Sequence, residues 1–264
     1  MAERRPILAG SPVCWTILKF VVLGPLLRLL FRPRVSGLEH IPLTGGAIVA
    51  ANHVSFLDPL LLPLVVPRRV MFLAKMKYID KPLLRWFLRA VGVIPVATDE
   101  PGGIPGAAGA AGAAGAVAAG VRAVRDGRLV GIFPEGTRSP DGRLHRGKTG
   151  VARIAIQAGV PVIPAGITGT DLAFPRGARL PRPRSVRIAF GPPISFPAPA
   201  DAACADAAAP GTAAAPGTAA PGTAAAPGTA AAAGGYPALT RRATDQVMAA
   251  IGALSGQQAG ADIT

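Results

Sequence analysis

The stretch "AANHVSFLDPLLLP" (50–63) places a histidine and an aspartate, His53 and Asp58, five residues apart at the end of an apolar run. A carboxylate bonded to one imidazole nitrogen fixes the ring tautomer and raises the basicity of the other nitrogen. Such a pair can remove a hydroxyl proton as a general base. No serine or cysteine nucleophile motif lies beside it, so the nucleophile would come from the substrate. Equally, the two residues could cap a turn and the following helix, and this stretch alone leaves both interpretations open.

A second stretch, "GIFPEGTRSPDG" (131–142), follows an apolar run and could bind an anion. A glycine in a turn leaves backbone N–H groups free to face an anionic group. Arginine adds a planar fork that suits phosphate or carboxylate. The alternative is a solvated Pro-Gly turn with a surface salt bridge. The candidate anion-binding residues are Glu135, Gly136, Thr137 and Arg138.

The elements that must position these residues alternate along the chain. We expect strands at "GAIVAAN", "RVMFLAK", "GVIPVA", "LVGIFPEG", "VPVIPAGIT" and "SVRIAFG". We expect helices at "DPLLLPLVV", "KPLLRWFLRAVG", "AGAVAAGVRAVRDG" and "KTGVARIAIQAG". This alternation predicts an α/β fold with a mainly parallel sheet flanked by helices. His53 would then follow the carboxyl end of a strand, where ligand crevices form in such sheets.

Together, "NHVSFLD" and "FPEGTRS" resemble the glycerolipid acyltransferases of the 1-acylglycerol-3-phosphate O-acyltransferase type. The resemblance spans about residues 34–195 and includes "RVSGLEHIP", "FLAK" and "VPVIPAGITGT". It implies that His53 is the general base, that Asp58 orients it, and that the segment from Glu135 to Arg138 holds the acceptor. Further substrate or headgroup contacts suggested by the matching blocks are Asn52, Lys75 and Pro164.

The resemblance also implies a reaction. A fatty acyl group would pass from an acyl thioester, either acyl-CoA or acyl carrier protein, to a lysophospholipid hydroxyl. The expected acceptor is 1-acylglycerol-3-phosphate, and no metal or other cofactor is expected. One departure concerns the family's second block, where an arginine usually follows the "GxIPV" strand. Here Thr98, Asp99 and Glu100 occupy that region, so a different lysolipid acceptor is the alternative.

The charge of the chain indicates an anionic partner. Lysine and arginine number 28 against 14 acidic residues, a formal net charge of +14. An anionic membrane surface fits this charge. Nucleic acid would fit as well, but the chain shows no recognition module or stacking aromatics, so we expect no nucleic acid partner. A membrane protein without catalytic activity is a further alternative, and nothing indicates the oligomeric state.

Four segments are expected along the chain. Residues 1–33 are read as an N-terminal membrane-associated helix at the cytoplasmic face. An interfacial position is favoured over a single span or a helix packed on the domain. The other three segments are an acyltransferase α/β domain (34–197), a low-complexity disordered tract (198–235), and a C-terminal helix and tail (236–264). The arginine-rich "PRGARLPRPRS" (175–185) could meet lipid headgroups or coenzyme A phosphates, or be a solvated loop.

Overall fold

A computed structural model of the chain describes residues 21, 23–75, 93–96, 107–197 and 229–260. The helices are α1 (Leu23–Phe31), α2 (Asp58–Val65), α3 (Ala107–Arg125), α4 (Gly150–Ala158), α5 (Thr170–Ala173) and α6 (Thr229–Ser255), with a 3-10 turn at Leu38–His40. The strands are β1 (Arg34–Ser36), β2 (Ala47–Ala51), β3 (Val70–Lys75), β4 (Val93–Val96), β5 (Leu129–Ile132), β6 (Val162–Thr168) and β7 (Arg187–Phe190).

One sheet joins these strands in the order β1-β7-β6-β2-β5-β3-β4. The five strands from β6 to β4 are mutually parallel. Strand β7 runs antiparallel to β6, and β1 lies parallel to β7. The predicted α/β class with a mainly parallel sheet is therefore confirmed. Parallel pairing brings the carboxyl ends of β2, β5 and β6 to the same edge, which is where the candidate motifs follow the strands.

Apolar side chains cover both faces of the sheet, which explains the continuous apolar strands in the sequence. All five residues of β2 are buried. On one face, Phe31 of α1 and Leu62 of α2 belong to the buried cluster. On the other face, Ile154 of α4 and Ile251 of α6 pack into a second cluster. Each such side chain contributes roughly 1.5–3 kcal/mol when fully buried, so the sheet is a rigid base for the turns at its edge.

The C-terminal helix differs from the expectation in two ways. It begins at Thr229, so residues 229–235 of the tract expected to be disordered are helical. It also packs against the α/β domain instead of forming a segment separate from it, because Val247 and Ile251 are fully buried in the second apolar cluster. The alanines, glycines and threonine of residues 229–235 include no large apolar side chain that would indicate packing. Residues 198–228 lie outside the described part of the chain.

Only the end of the predicted N-terminal membrane segment (1–33) is described. In α1, Leu27 and Phe31 pack into the core, while Leu26 and Leu29 are 51% and 73% exposed. Within the described ranges, no helix combines the length and apolarity that a bilayer crossing requires. Membrane association therefore stays a prediction. The basic segment around "KPLLRWFLRAVG" and the residues 98–100 also lie outside the described residues.

Candidate active site

The turn between β2 and α2 brings His53 and Asp58 into direct contact. His53 Nδ1 lies 2.9 Å from Asp58 Oδ2. The same carboxylate oxygen accepts the backbone N–H groups of Val54 at 2.8 Å and Ser55 at 2.7 Å. Asp58 is fully buried, and it is the first residue of α2, not its cap. The carboxylate therefore shapes the turn that precedes it and holds the imidazole at a fixed distance.

The second oxygen of Asp58 is held by the first residue of α5, which follows the neighbouring strand β6. Thr170, two residues beyond β6, donates its hydroxyl to Asp58 Oδ1 at 2.6 Å. With the donors from the turn and from His53, four groups surround one carboxylate. A buried carboxylate is costly unless its oxygens are hydrogen-bonded, so this set of donors accounts for its position. Thr170 thus fixes Asp58 relative to the end of β6.

The imidazole of His53 is held in place by its face as well as by its edge. Its ring stacks on Phe133, with centroids 4.2 Å apart and planes inclined by 21°. Phe133 stacks in turn on Phe72 at 5.6 Å. The His53 side chain is 16% exposed, and Nε2 has no partner among the described residues. When Nδ1–H donates to Asp58, the lone pair of Nε2 is available to accept a proton.

Glu135 joins the histidine turn to the loop that follows β5. Its Oε1 accepts the backbone N–H of His53 at 2.9 Å, and its Oε2 accepts that of His145 at 3.2 Å. In addition, the N–H of Ser139 donates to the carbonyl of His53 at 2.7 Å. Burial raises the pKa of Glu135, while the two N–H donors act in the opposite direction. The two candidate motifs are therefore tied together by backbone contacts on both sides of His53.

The turn at Gly136 brings a lysine that the sequence did not single out. Gly136 has φ of 71°, in the left-handed region that favours glycine. A methyl group built on Gly136 would lie 2.9 Å from Lys148 Nζ, so the ammonium group lies over the turn. The N–H of Gly136 itself donates to the Phe133 carbonyl at 2.9 Å, so it is not one of the free N–H groups that a glycine turn can offer to an anion.

Two arginines meet at the same loop. Arg138 is half-buried, and Arg176 donates from Nη2 to the Arg138 carbonyl at 3.2 Å. Thr137 beside it is exposed, and its hydroxyl donates to the same carbonyl at 3.3 Å. Three cationic residues therefore lie at the loop that follows β5: Arg138, Arg176 and Lys148. Within the described residues, the backbone N–H groups of Thr137 and Arg138 have no acceptor.

Asn52, expected as a possible substrate contact, is hydrogen-bonded within the protein. Its side chain is fully buried, with Nδ2 donating to the carbonyl of Ile167 at 2.9 Å and to Gln257 Oε1 at 2.7 Å. Its Oδ1 accepts the N–H of Ile167 at 2.7 Å. Both N–H groups of the amide and its oxygen thus have partners within the protein. Asn52 instead ties the start of the histidine turn to β6 and to the segment after α6.

Two other candidates lie at different depths in the sheet. Pro164 is buried within β6 opposite Ala50, three residues before His53 along the neighbouring strand. The structure therefore places Pro164 in the sheet and not at its edge with the other candidates. Lys75 is the last residue of β3, at the same edge of the sheet as the histidine turn. Its side chain lies outside the described features, so its contact with substrate stays a prediction.

Sequence reasoning missed Phe133, Thr170 and Lys148 at this site. Phe133 is the first residue of the quoted "FPEGTRS", and an aromatic residue at a strand end facing the histidine turn was a usable signal. Thr170 follows β6 at the edge predicted to bind ligands, where a hydroxyl can reach the neighbouring turn. Nothing in the sequence marked Lys148. Across the described residues, no three His, Cys, Asp or Glu side chains are grouped as metal ligands.

The amino-acid sequence of the chain is similar to those of known acyltransferases. The sequence model of the family described as Acyltransferase matches residues 32–168. The chloroplastic 1-acyl-sn-glycerol-3-phosphate acyltransferase BAT2 of Brassica napus is 31% identical over 179 residues, covering 67% of this chain and 49% of that protein. The 1-acyl-sn-glycerol-3-phosphate acyltransferase of Bacillus subtilis is 25% identical over 163 residues, covering 61% of this chain and 73% of that protein.

A solved structure shares the fold. The crystal structure of the 1-acyl-sn-glycerophosphate (LPA) acyltransferase PlsC from Thermotoga maritima matches with a TM-score of 0.56 and 27% identity, covering 69% of this chain and 68% of that chain. The chain spans about half the length of the plant relatives it matches. The matched family region contains β2, the His53–Asp58 turn and the loop from Glu135 to Arg138. With this sequence match over more than half of its length, the chain belongs to the Acyltransferase family.

Proposed function

We propose that this protein transfers a fatty acyl group from an acyl thioester to the hydroxyl of a lysophospholipid, with His53 as the general base. One observation carries the proposal: His53 Nδ1 bonds to the buried Asp58 carboxylate at 2.9 Å, and Nε2 has no partner among the described residues. The imidazole is thereby oriented with its proton-accepting nitrogen available. Only a substrate hydroxyl is then needed as the nucleophile.

The reaction proceeds through a tetrahedral intermediate. His53 Nε2 takes the proton of the acceptor hydroxyl as its oxygen bonds to the thioester carbonyl carbon. The C–S bond then breaks, the ester forms, and the imidazolium returns the proton to the departing thiolate. The N–H groups of His53, Val54 and Ser55 are already hydrogen-bonded to carboxylates, so they are not the oxyanion donors we propose. The N–H groups of the loop at Thr137 are the better candidates.

The acceptor we propose is 1-acylglycerol-3-phosphate, because cations gather beside the base. Arg138, Lys148 and Arg176 lie around one loop, and the N–H of Ser139 in that loop donates to the His53 carbonyl. A phosphate held there would place the neighbouring glycerol hydroxyl within reach of His53. The relatives from Brassica napus and Bacillus subtilis are named for this acceptor. Three cations at the loop would compensate for the arginine missing from the second block.

A different lysolipid is the second candidate, and one sequence feature favours it. Asp99 and Glu100 stand where relatives usually carry a phosphate-binding arginine. Carboxylates near a phosphate would repel it, whereas a zwitterionic headgroup would tolerate them. We propose either acyl-CoA or acyl carrier protein as the donor, with no metal or other cofactor. Catalysis would take place at an anionic membrane surface, which the exposed Leu26 and Leu29 and the arginines of 175–185 suit.

A panel of acceptors tests the proposal. Release of thiol from one acyl-CoA is followed with 1-acylglycerol-3-phosphate, lysophosphatidylcholine and lysophosphatidylglycerol. We expect the highest kcat/KM for the first acceptor. Arg138→Gln should raise its KM by about 10–150-fold, the value for one lost hydrogen bond to a charged group. The control Arg242→Gln removes an exposed arginine from α6 and should change neither value. Preference for a zwitterionic acceptor would select the second candidate. No thiol release with any acceptor, from acyl-CoA or from an acylated acyl carrier protein, would refute acyl transfer.

A further inference from the structure

Two arginines stand side by side at the edge of the sheet, in register with a threonine. Arg34 of β1 pairs with Arg187 of β7, and Arg187 pairs with Thr168 of β6. Residues paired across neighbouring strands point to the same face. Like charges directly opposite each other destabilise a sheet. Among the described residues, neither guanidinium has an ion pair or a hydrogen-bond partner that would offset this repulsion.

These side chains line an open pocket of about 250 Å³, together with Gly169 and Ser185. Gly169 has φ of 86°, and a methyl group built there would lie only 2.8 Å from the Ser185 carbonyl oxygen. Backbone geometry therefore keeps a side chain out of the space at this position. The Ser185 hydroxyl lies 3.5 Å from the Arg32 carbonyl, at the limit of a hydrogen bond, and it remains free to turn towards the pocket.

The pocket lies on the face of the sheet opposite to the catalytic pair. Ile188 and Phe190 of β7 and Val35 of β1 pack into the cluster beneath α1 and α2. Because side chains alternate along a strand, Arg187 and Arg34 project from the other face. Phe133, on which His53 stacks, packs against that same cluster. The pocket and the catalytic histidine are thus separated by the sheet.

We propose that this pocket binds a phosphate group. Two guanidinium groups and two hydroxyls surround it, and no carboxylate lines it among the residues that the structure describes. Its volume is small for a larger organic ligand. A phosphate between Arg34 and Arg187 accepts hydrogen bonds from both guanidinium groups. Its negative charge also offsets the repulsion between them. Such a phosphate belongs either to a soluble anion or to a lipid headgroup. Arg182 and Arg184, exposed in the segment that leads to Ser185, extend the positive charge beyond the pocket.

Two arms of one experiment separate these sources. In the first, thermal unfolding of the whole chain is measured in inorganic phosphate and in chloride of equal ionic strength. A ligand that binds only the folded state raises its stability, so phosphate should raise the Tm. In the second, binding to phosphatidylcholine vesicles is compared with binding to vesicles that also contain phosphatidic acid. Both arms use the wild type, the double variant Arg34→Gln/Arg187→Gln, the single variant Thr168→Val, and the control Arg242→Gln.

We expect the double variant to bind at least about tenfold more weakly in one arm, since it loses two charge-assisted contacts. Thr168→Val, which keeps both charges, should weaken the same arm by about 2–10-fold, as one neutral hydrogen bond is lost. The control should match the wild type. An effect in the phosphate arm identifies a soluble anion, and an effect confined to vesicles identifies a headgroup. If the double variant equals the wild type in both arms while remaining folded, the proposal is overturned.

Discussion

Replacing Thr170 by valine removes one hydrogen bond from the Asp58 carboxylate while keeping the shape of the side chain. The Thr170 hydroxyl donates to Asp58 Oδ1 at 2.6 Å, and both residues are fully buried. Valine leaves that oxygen without a donor in a place that water does not reach. His53 contacts the other oxygen of this carboxylate, Oδ2. In the variant, Asp58 would therefore lose its hydrogen bond to Thr170, while the 2.9 Å contact between His53 and Asp58 remains.

The size of the effect follows from the kind of bond lost. A hydrogen bond to a charged group contributes about 1.5–3 kcal/mol to the free energy of unfolding. For a domain of this size each kcal/mol corresponds to roughly 2–4 °C, so the Tm should fall by about 3–12 °C. If about half of that energy also orients Asp58 in the transition state, kcat should fall by about threefold to tenfold, since 1.36 kcal/mol is a factor of ten.

The assay combines thermal unfolding with thiol release at saturating substrates. Thr170→Ser is the matched control, because it keeps the hydroxyl and loses only a methyl group. We expect serine to restore most of kcat, at the cost of about 1 kcal/mol of stability for the lost methyl group. If serine loses as much kcat as valine, the hydroxyl alone does not preserve activity, and the argument from the hydrogen bond fails. If valine lowers the Tm but leaves kcat unchanged, Thr170 is purely structural and the positioning argument fails.

Three further outcomes are expected. Asn52→Leu should lower the free energy of unfolding by about 2–4 kcal/mol in chemical denaturation, because the buried N–H and C=O of Ile167 lose their partner; an unchanged midpoint would contradict the contacts. Arg138→Lys should restore only part of the acceptor affinity lost in Arg138→Gln, since lysine lacks the planar fork; full recovery in KM would indicate a simple charge effect. The hydrogen bond from His145, with smaller contributions from N–H and hydroxyl donors, lowers the pKa of Asp141 to about 2. His145→Ala should move it up towards about 3.9 in an NMR titration. In the wild type, the stability from this depressed pKa is present above the unfolded value and is lost as pH falls through about 2; an unchanged titration would refute the role of His145.

Local patterns in the sequence were sufficient for the sheet and the two motifs. Apolar runs alternate with helical patterns, and the strands β2 to β7 and the helices α2, α3 and α4 lie where that alternation predicts them. The short elements β1 and α5 were not predicted. The His53–Asp58 spacing allowed contact, and the structure brings the two side chains together. Contact within a turn of six residues depends mainly on local geometry. For that reason a single stretch of sequence could anticipate it.

Contacts between distant segments could not be anticipated in the same way. Asn52 reaches Gln257 across 205 residues of sequence, and Thr170 reaches Asp58 across 112. No local pattern encodes the packing that brings such groups together. Asn52 was therefore taken for a ligand-binding residue, although it is fully buried. Likewise, the glycines and alanines before Tyr236 do not show that the last helix already begins at Thr229.

The most direct test of the account is the rate of acyl transfer by His53→Ala. The variant is purified alongside the wild type, its folding is checked by thermal unfolding, and a single turnover is followed with acyl-CoA and 1-acylglycerol-3-phosphate. If His53 Nε2 takes the acceptor proton, the rate should fall by a factor of about 10²–10⁴. The imidazole is partly exposed and its backbone N–H remains bonded to Glu135, so the fold should survive. A folded variant with a near-normal rate would contradict the assignment of His53 as the base.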